Sequence, residues 1–309
     1  VCEGCGDCSA VSNGISVEPR ETEFGRKRAI NQSSCNTDLS CIKGFCPSFV
    51  TVEGAVRKPK TRATAGPVGD LPEPALPGLD GVYSMLLTGI GGTGVVTVSA
   101  VLSQAAHLDG LHLLTLDQTG LAQKNGAVIS HIRLARDAAH LAAPRIGIEE
   151  ADLVLGFDAV VAASAASLST FRKGGTRVVL DPHFAPTASF VKDTTIDLRR
   201  HATMRQVREA AGADLVAEVE ARDIAVALFG DAIAANMFLL GHAWQKGLVP
   251  IGRASIERAI ELNGAGAAMN AAAFAWGRRS AVDPEAVAEK AGLGEDAARE
   301  ADETLDDIV

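Results

Sequence analysis

All six cysteines lie between positions 2 and 46, and none follows. Clustering this tight divides the chain into two chemically different parts and needs a chemical cause. Cys2, Cys5 and Cys8 form C-x2-C-x2-C. Three thiolates so close in sequence can point into one pocket from one loop, where they reach three irons of a cubane cluster while a fourth comes from further on. Cys46-Pro47 is the one Cys-Pro pair, the pair that closes the ferredoxin pattern, and Cys35 and Cys41 are further candidates. Six thiols cannot fill two all-thiolate cubanes, so the spacing predicts one 4Fe–4S cluster. Two rival uses of the same residues stand beside it. Zinc usually pairs two C-x2-C knuckles, and here there is one overlapping run. A disulfide framework suits an exported module, and adjacent C-x2-C pairs bridge with strain.

The 309 residues suit one large domain or two ordinary ones, and 47% apolar against 22% charged residues can build a sizeable core. The formal charge of -9 argues against a nucleic-acid partner, and 4% aromatics leaves little for base stacking. The acidity sits at the end: residues 282–309 hold 10 Asp/Glu and 2 Lys/Arg. They read as a solvated acidic tail at the start of a further helical region. No basic start precedes an apolar stretch, so the reading is a cytoplasmic protein without a leader. The chain opens on Val1-Cys2, directly in a functional-looking motif, and is expected to be a piece of something longer. Residues 81–108 carry no Asp, Glu, Lys or Arg. Gly89, Gly91, Gly92 and Gly94 in their middle make a poor lipid-facing helix, so no membrane span is expected.

Residues 1–58 are dense in Gly, Ser, Asn and Cys and predict an irregular segment held by a metal cluster. Residues 59–80 carry five prolines and read as a semi-stiff linker. From 81 to 283 the texture becomes periodic. SMLLTG, LHLLTLD, AVISHIRLA, ADLVLGF and TRVVLD are strand candidates, and VVTVSAVLSQAAHLDG, RDIAVALFGDAIAANMFLLGHAWQKG and RASIERAIELNG are helical. Strands alternating with helices predict a Rossmann-like α/β domain, its mostly parallel sheet covered on both faces. Residues 284–309 form the acidic tail.

Two stretches of this domain carry candidate chemistry. SMLLTG-IGGTG-VVTVSAVL reads as strand, glycine loop and helix. Gly89, Gly91, Gly92, Thr93 and Gly94 let the backbone approach a phosphate at a helix N-terminus, although a tight turn can need the same glycines for packing alone. Asp117 closes the next strand, where a dinucleotide fold places its ribose-binding acid. The stretch 117–126 then joins two strands on the same carboxyl edge. There Gln123, Lys124, Asn125 and Gly126 offer a cation and amide donors to an anionic or carbonyl group. His131 and Arg133 alternate on one face of AVISHIRLA, and His131 reads equally as a core histidine or a site residue.

Taken together, VCEGCGDC, ETEFGRKRAINQSSCNTDLSCIKGFCPSFVTVEG, LLTGIGGTGVVTVSAVLSQAAHLDG, TGLAQKNGAVISHIRLA, GDAIAANMFLLGHAWQKGLVP and AIELNGAGAAMNAAAFAWGRR resemble the long, fused indolepyruvate ferredoxin oxidoreductases. The resemblance covers nearly the whole chain apart from the linker and tail. It implies an oxidoreductase reaction in which an aryl- or branched 2-oxoacid, coenzyme A and an oxidised carrier such as ferredoxin give acyl-CoA, carbon dioxide and reduced carrier. It implies thiamine diphosphate with Mg2+, held by domains that precede the cysteine segment and are outside this sequence. The chain would then be the iron–sulfur segment and the gamma-type domain, inactive alone and part of a homo-oligomer when complete. The resemblance places Gln123, Lys124, Asn125 and Gly126, with Gly89, Gly91, Gly92, Thr93 and Gly94, toward the active-site and coenzyme side; Lys124, Gln123 and, from the strand reading above, His131 are the candidate catalytic residues. Two departures stand out. Gly14 occupies a place where the family often has a cysteine, and Lys124 one where related gamma domains often have arginine. The alternative from the residues is an NAD(P)-dependent dehydrogenase with an attached iron–sulfur module. A non-enzymatic electron-transfer protein is the third reading.

Overall fold

The computed structural model describes residues 5–12, 16–31, 35, 38–47, 49–50, 53–54, 66–120, 126–184 and 199–293. It divides into two compact units. One gathers residues 1–61, 184–200 and 303–309, and the other residues 62–183 and 201–302. Cys2, Gln123, Lys124 and Asn125 lie outside the described residues.

The cysteine unit is less irregular than its composition suggests. Helix α1, Asp7–Ser12, begins inside the C-x2-C-x2-C run. Strands β1, Val17–Thr22, and β2, Gly25–Ile30, form an antiparallel hairpin in which Val17 pairs with Ile30. The turn closes on Gly25 at φ +86°, a left-handed conformation that a Cβ disfavours. Alternation of polar and apolar residues is weak in both strands, which is why the sequence pattern hides them.

The larger unit is built on a six-stranded sheet in the order β4-β5-β3-β6-β7-β8. Its strands are β3 (Tyr83–Ile90), β4 (His112–Thr119), β5 (Ala127–Ala135), β6 (Leu153–Gly156), β7 (Arg177–Leu180) and β8 (Val216–Glu218). Strands β3, β6, β7 and β8 pair in parallel, and β5 alone runs antiparallel to both its neighbours. Continuous apolar runs such as Met85-Leu86-Leu87 and Leu153-Val154-Leu155 suit strands buried on both faces. Met85, Leu87, Ile132, Leu155 and Val179 point to the main core. Leu86, Val154 and Leu180 take the opposite face, where Ala162 of α3 (Ala159–Ala162) closes over Gly156.

Helix α2, Val95–Leu108, covers the main face beside β3, β4 and β5. The short α4 (Ala165–Leu168) and then α5 (Arg200–Ala211) follow α3. The sequence run read as one helix from Arg222 to Gly247 breaks at Gly230, which takes φ +72° and ends α6 (Ala221–Phe229). Asp231 then caps a short 3₁₀ turn, and α7 (Ala235–Gln245) begins. Helices α8 (Arg253–Asn263), α9 (Ala267–Val282) and α10 (Pro284–Lys290) complete the layer.

All eleven residues of α7 are buried, so it has no solvent face. It meets α9 through two glycines. A Cβ on Gly241 would run into the Phe274 carbonyl oxygen, and one on Gly277 into that of Phe238. The backbones therefore touch, and the polar side chains of α7 must find partners inside. His242 Nδ1 and Ser280 Oγ lie 2.8 Å apart. Gln245 donates to the Pro72 carbonyl at 2.6 Å and accepts from Arg278 Nε at 2.8 Å. Arg278 stacks over Trp244 and pairs with Glu73, which also pairs with Arg253. Trp276 Nε1 donates to Gly66. Residues 66–80, read from their prolines as linker, are thus bonded along α7 and α9. No helix among the described residues is long and apolar enough to cross a membrane.

Two outcomes follow from this packing. Gly277→Ala forces α7 and α9 apart and is expected to cost about 2–3 kcal/mol, read from the urea midpoint. Burial, with Lys246 adding to it, pushes His242 down to about 4 from 6.5. The unfolded chain takes up a proton below pH 6.5 and the folded chain does not until about pH 4. Stability should therefore fall by about 3 kcal/mol as pH drops across that window. His242→Gln should flatten this part of the pH profile.

Candidate functional site

Strand β3 is the switch point of the sheet. The chain leaves its carboxyl end through α2 toward β4 and β5, while β6, β7 and β8 extend from its other side. Crevices at such points are where open α/β sheets bind ligands. The glycine loop fills this one. A Cβ on Gly89 would lie 2.6 Å from Val95 Cγ2 and 3.3 Å from Phe157 Cβ, so the first glycine serves close packing of strand and helix. Gly92 and Gly94 take φ of +86° and +96°. Gly94 stands at the N-cap of α2 and supplies no side-chain cap. The amides of Gly94, Val95, Val96 and Thr97 precede Val98, whose N–H makes the first bond back to Gly94 O. They form an open, positive helix end.

The β4–β5 connection meets this loop. Gly91 N–H donates to Gly126 O at 2.7 Å, and Gly120 N–H donates to Ala127 O at 3.0 Å. Both ends of the segment carrying Gln123, Lys124 and Asn125 are therefore fixed beside the glycine loop. The Gly91 amide is spent on this link and is not offered to a ligand. His131 sits elsewhere, four positions along β5 from Ala127, and is buried. Its Nδ1 accepts from Ile146 N–H at 3.2 Å, which leaves the proton of the neutral ring on Nε2. Burial and then Arg145 lower its pKa, with Asp117 opposing. Arg133, on the same strand face, bonds the carbonyls of Ala143 and Arg145 and pairs with Glu150.

Asp117 does not occupy a ribose-binding position. It lies on β4, and β5 stands between β4 and the glycine-loop strand. A dinucleotide fold needs its acid on the strand directly beside the glycine-loop strand. The inserted antiparallel strand moves it one spacing, about 5 Å, further away.

Two residues of this edge carry no motif. Asn236, at the start of α7, donates to the Thr93 carbonyl at 2.7 Å and packs against Gly94. Its signal was present in the sequence as an amide directly before the apolar run Met237–Leu240, since a buried polar group needs a partner. Asp181, just past β7, is buried; burial raises it to about 7, while the N–H bonds it accepts from His183 and Arg222 oppose that shift. The second bond ties it to the first turn of α6.

In the cysteine unit, Asp7 lies between Cys5 and Cys8 and accepts Phe45 N–H at 2.6 Å. Gly44 packs on Asp7, and α1 packs on the 3₁₀ turn Ser40–Lys43 that contains Cys41. The clasp brings the Cys41–Cys46 stretch to the Cys5–Cys8 turn. Cys35 is placed by its N–H bond to Asn31, at the end of the hairpin. No disulfide joins the described cysteines, and among the described residues no three Cys, His, Asp or Glu side chains form a metal-holding group. The soft thiol donors near the clasp have the chemistry an iron–sulfur cluster takes.

The family model for pyruvate ferredoxin/flavodoxin oxidoreductase matches residues 84–280, from β3 to α9, and so encloses the glycine loop, the Gly120–Gly126 stretch and Asn236. The chain belongs to this family. The indolepyruvate oxidoreductase subunit IorB of Archaeoglobus fulgidus is 28% identical over 182 residues, 57% of this chain and 83% of that protein. IorB of Thermococcus kodakarensis is 23% identical over 183 residues, 59% and 86% of the two chains. A solved pyruvate oxidoreductase subunit, PORC, from Thermotoga maritima aligns with a TM-score of 0.46 and 19% identity over 64% of this chain and 96% of that one. The resemblance to indolepyruvate oxidoreductases read from the sequence is borne out at the level of the family.

Proposed function

We propose that the chain is the iron–sulfur segment and gamma-type domain of a 2-oxoacid:ferredoxin oxidoreductase of the indolepyruvate type. Its reaction would turn an aryl- or branched 2-oxoacid and coenzyme A into acyl-CoA and carbon dioxide, with the electrons passing to ferredoxin or a similar carrier. The observation that carries this reading is the Gly91–Gly126 bond, because it holds Gly126, the residue that follows Gln123-Lys124-Asn125 in sequence, at the glycine loop in a family of oxoacid oxidoreductases.

Thiamine diphosphate, held with Mg2+ by other domains, would supply the decarboxylation chemistry and electrons that leave singly. The residues of this chain would do three things. Cys2, Cys5, Cys8 and Cys46 would hold a 4Fe–4S cluster and carry electrons outward, with Cys41 and Cys35 as the other candidates for the fourth ligand. The amides of Gly92, Gly94 and the first turn of α2 would hold an anionic group of coenzyme A or the oxoacid. Lys124 and Gln123 would add a cation and an amide to that pocket, with Asn125 and Gly126 shaping its wall. The buried, bonded position of His131 favours a structural part for its ring over contact with substrate. The placement of Asp117 one strand away disfavours a nicotinamide cofactor.

Anaerobic reconstitution should give about four irons and four sulfides per chain, and Cys8→Ser should abolish them. Tightly bound zinc without sulfide would overturn the cluster. In the complete enzyme, Lys124→Ala should raise the Michaelis constant for coenzyme A or the oxoacid at least tenfold, as expected for losing a desolvated charged contact worth about 1.5–3 kcal/mol. Unchanged kinetics would make Lys124 a surface residue, and tight NADH binding would favour a dehydrogenase.

A further inference from the structure

We infer that Asn236 is the positioning residue of the glycine loop, locking the Thr93–Gly94 peptide in the one orientation that presents the helix amides to a ligand. Asn236 is 5% exposed and lies on the helix that has no solvent face. Its Nδ2 donates to Thr93 O at 2.7 Å across 143 residues of sequence. In a planar trans peptide the C=O and the following N–H point in opposite directions. Holding the Thr93 oxygen against α7 therefore turns the Gly94 N–H away from α7, and the amides of Val95 to Thr97 follow it ahead of the first helical bond at Val98.

That orientation needs an external hold. Gly94 is at φ +96° with no Cβ, and such a residue moves between backbone wells at little cost. The neighbouring bonds do not fix it. Thr93 N–H and Thr93 Oγ1 both go back to Ile90 O, so they tie the preceding peptide and not the one after Thr93. A flipped peptide would put a carbonyl oxygen where an anion is to bind and would withdraw one of the donors. Asn236 and Ile233 also fill the space beneath Gly94, where a Cβ would meet Asn236 Nδ2 at 3.3 Å and Ile233 Cγ1 at 3.7 Å. Asn236 thus acts through the loop and touches no substrate.

The inference rests on the reading that this loop faces coenzyme A, and the test separates the two. Two variants of the full chain serve: Asn236→Leu keeps the shape without the donor, and Asn236→Asp sets an acceptor against the Thr93 oxygen. Amide exchange followed by NMR reads the loop directly. Val98, bonded to Gly94 O, should exchange about tenfold faster in Asn236→Leu, the worth of one lost hydrogen bond, while Val101 to Ala106 in the body of α2 stay as in the wild type. Coenzyme A affinity, measured calorimetrically, should fall about tenfold in the leucine variant and further in the aspartate variant. Wild-type exchange at Val98 in a folded variant overturns the inference, as does wild-type affinity in both variants. A wild-type chain that does not bind coenzyme A refutes the coenzyme reading, and the exchange rates then decide the role of Asn236 alone.

Discussion

The backbone contact between α7 and α9 is the constraint on which the larger unit depends. Gly241 and Gly277 remove the two Cβ atoms that would hold the helices apart. Close approach buries α7 on every side, and burial then obliges each of its polar groups to find a partner. At one end Asn236 reaches the glycine loop; at the other Gln245 and Arg278 hold residues 72 and 73. The same helix links the candidate site to the segment that precedes the sheet. Replacing either glycine acts on packing first, yet its effects should spread to both ends.

The sheet contributes a second constraint, through its order. Placing β5 between β3 and β4 brings the β4–β5 connection to the carboxyl edge, where Gly126 bonds Gly91. The same insertion carries Asp117 away from that edge's glycine loop. One topological choice thus favours a site made of glycine loop and β4–β5 connection, and disfavours the ribose contact of a nicotinamide fold. The glycine motif is common to both designs, because a tight turn and an open helix end serve any phosphate-bearing or carboxylate ligand.

In the cysteine unit the organising contact is small. The Asp7 carboxylate sits inside the C-x2-C-x2-C run and receives the Phe45 amide, one residue before Cys46. A charge-assisted bond of this kind is stronger than a neutral one and draws two distant cysteine groups into one neighbourhood. Cys35 stays with the hairpin. This arrangement supports Cys41 or Cys46 over Cys35 as the thiol that would join the run where Gly14 stands.

The sequence by itself determined the alternation of strands and helices, the glycine loop at a strand end and the segregation of all thiols, because periodicity, glycine demand and ligand spacing are local. The apolar runs at 85–87, 153–155 and 178–180 announced buried strands for the same reason. Tertiary structure alone decided the rest. That β5 runs antiparallel and enters between β3 and β4 is a matter of pairing, which no single strand encodes. Prolines at 67–77 suggested a linker, but whether such a segment is bonded along its course depends on donors from Gln245, Trp276 and Arg278, some 170 to 210 residues away. His131 reads equally as core or site in the sequence, and the Ile146 amide bonded to its ring comes from a loop 15 residues away. Asn236 carried no motif, since the Thr93 carbonyl it holds is near in space and distant in sequence, and a hydrogen bond depends only on the former.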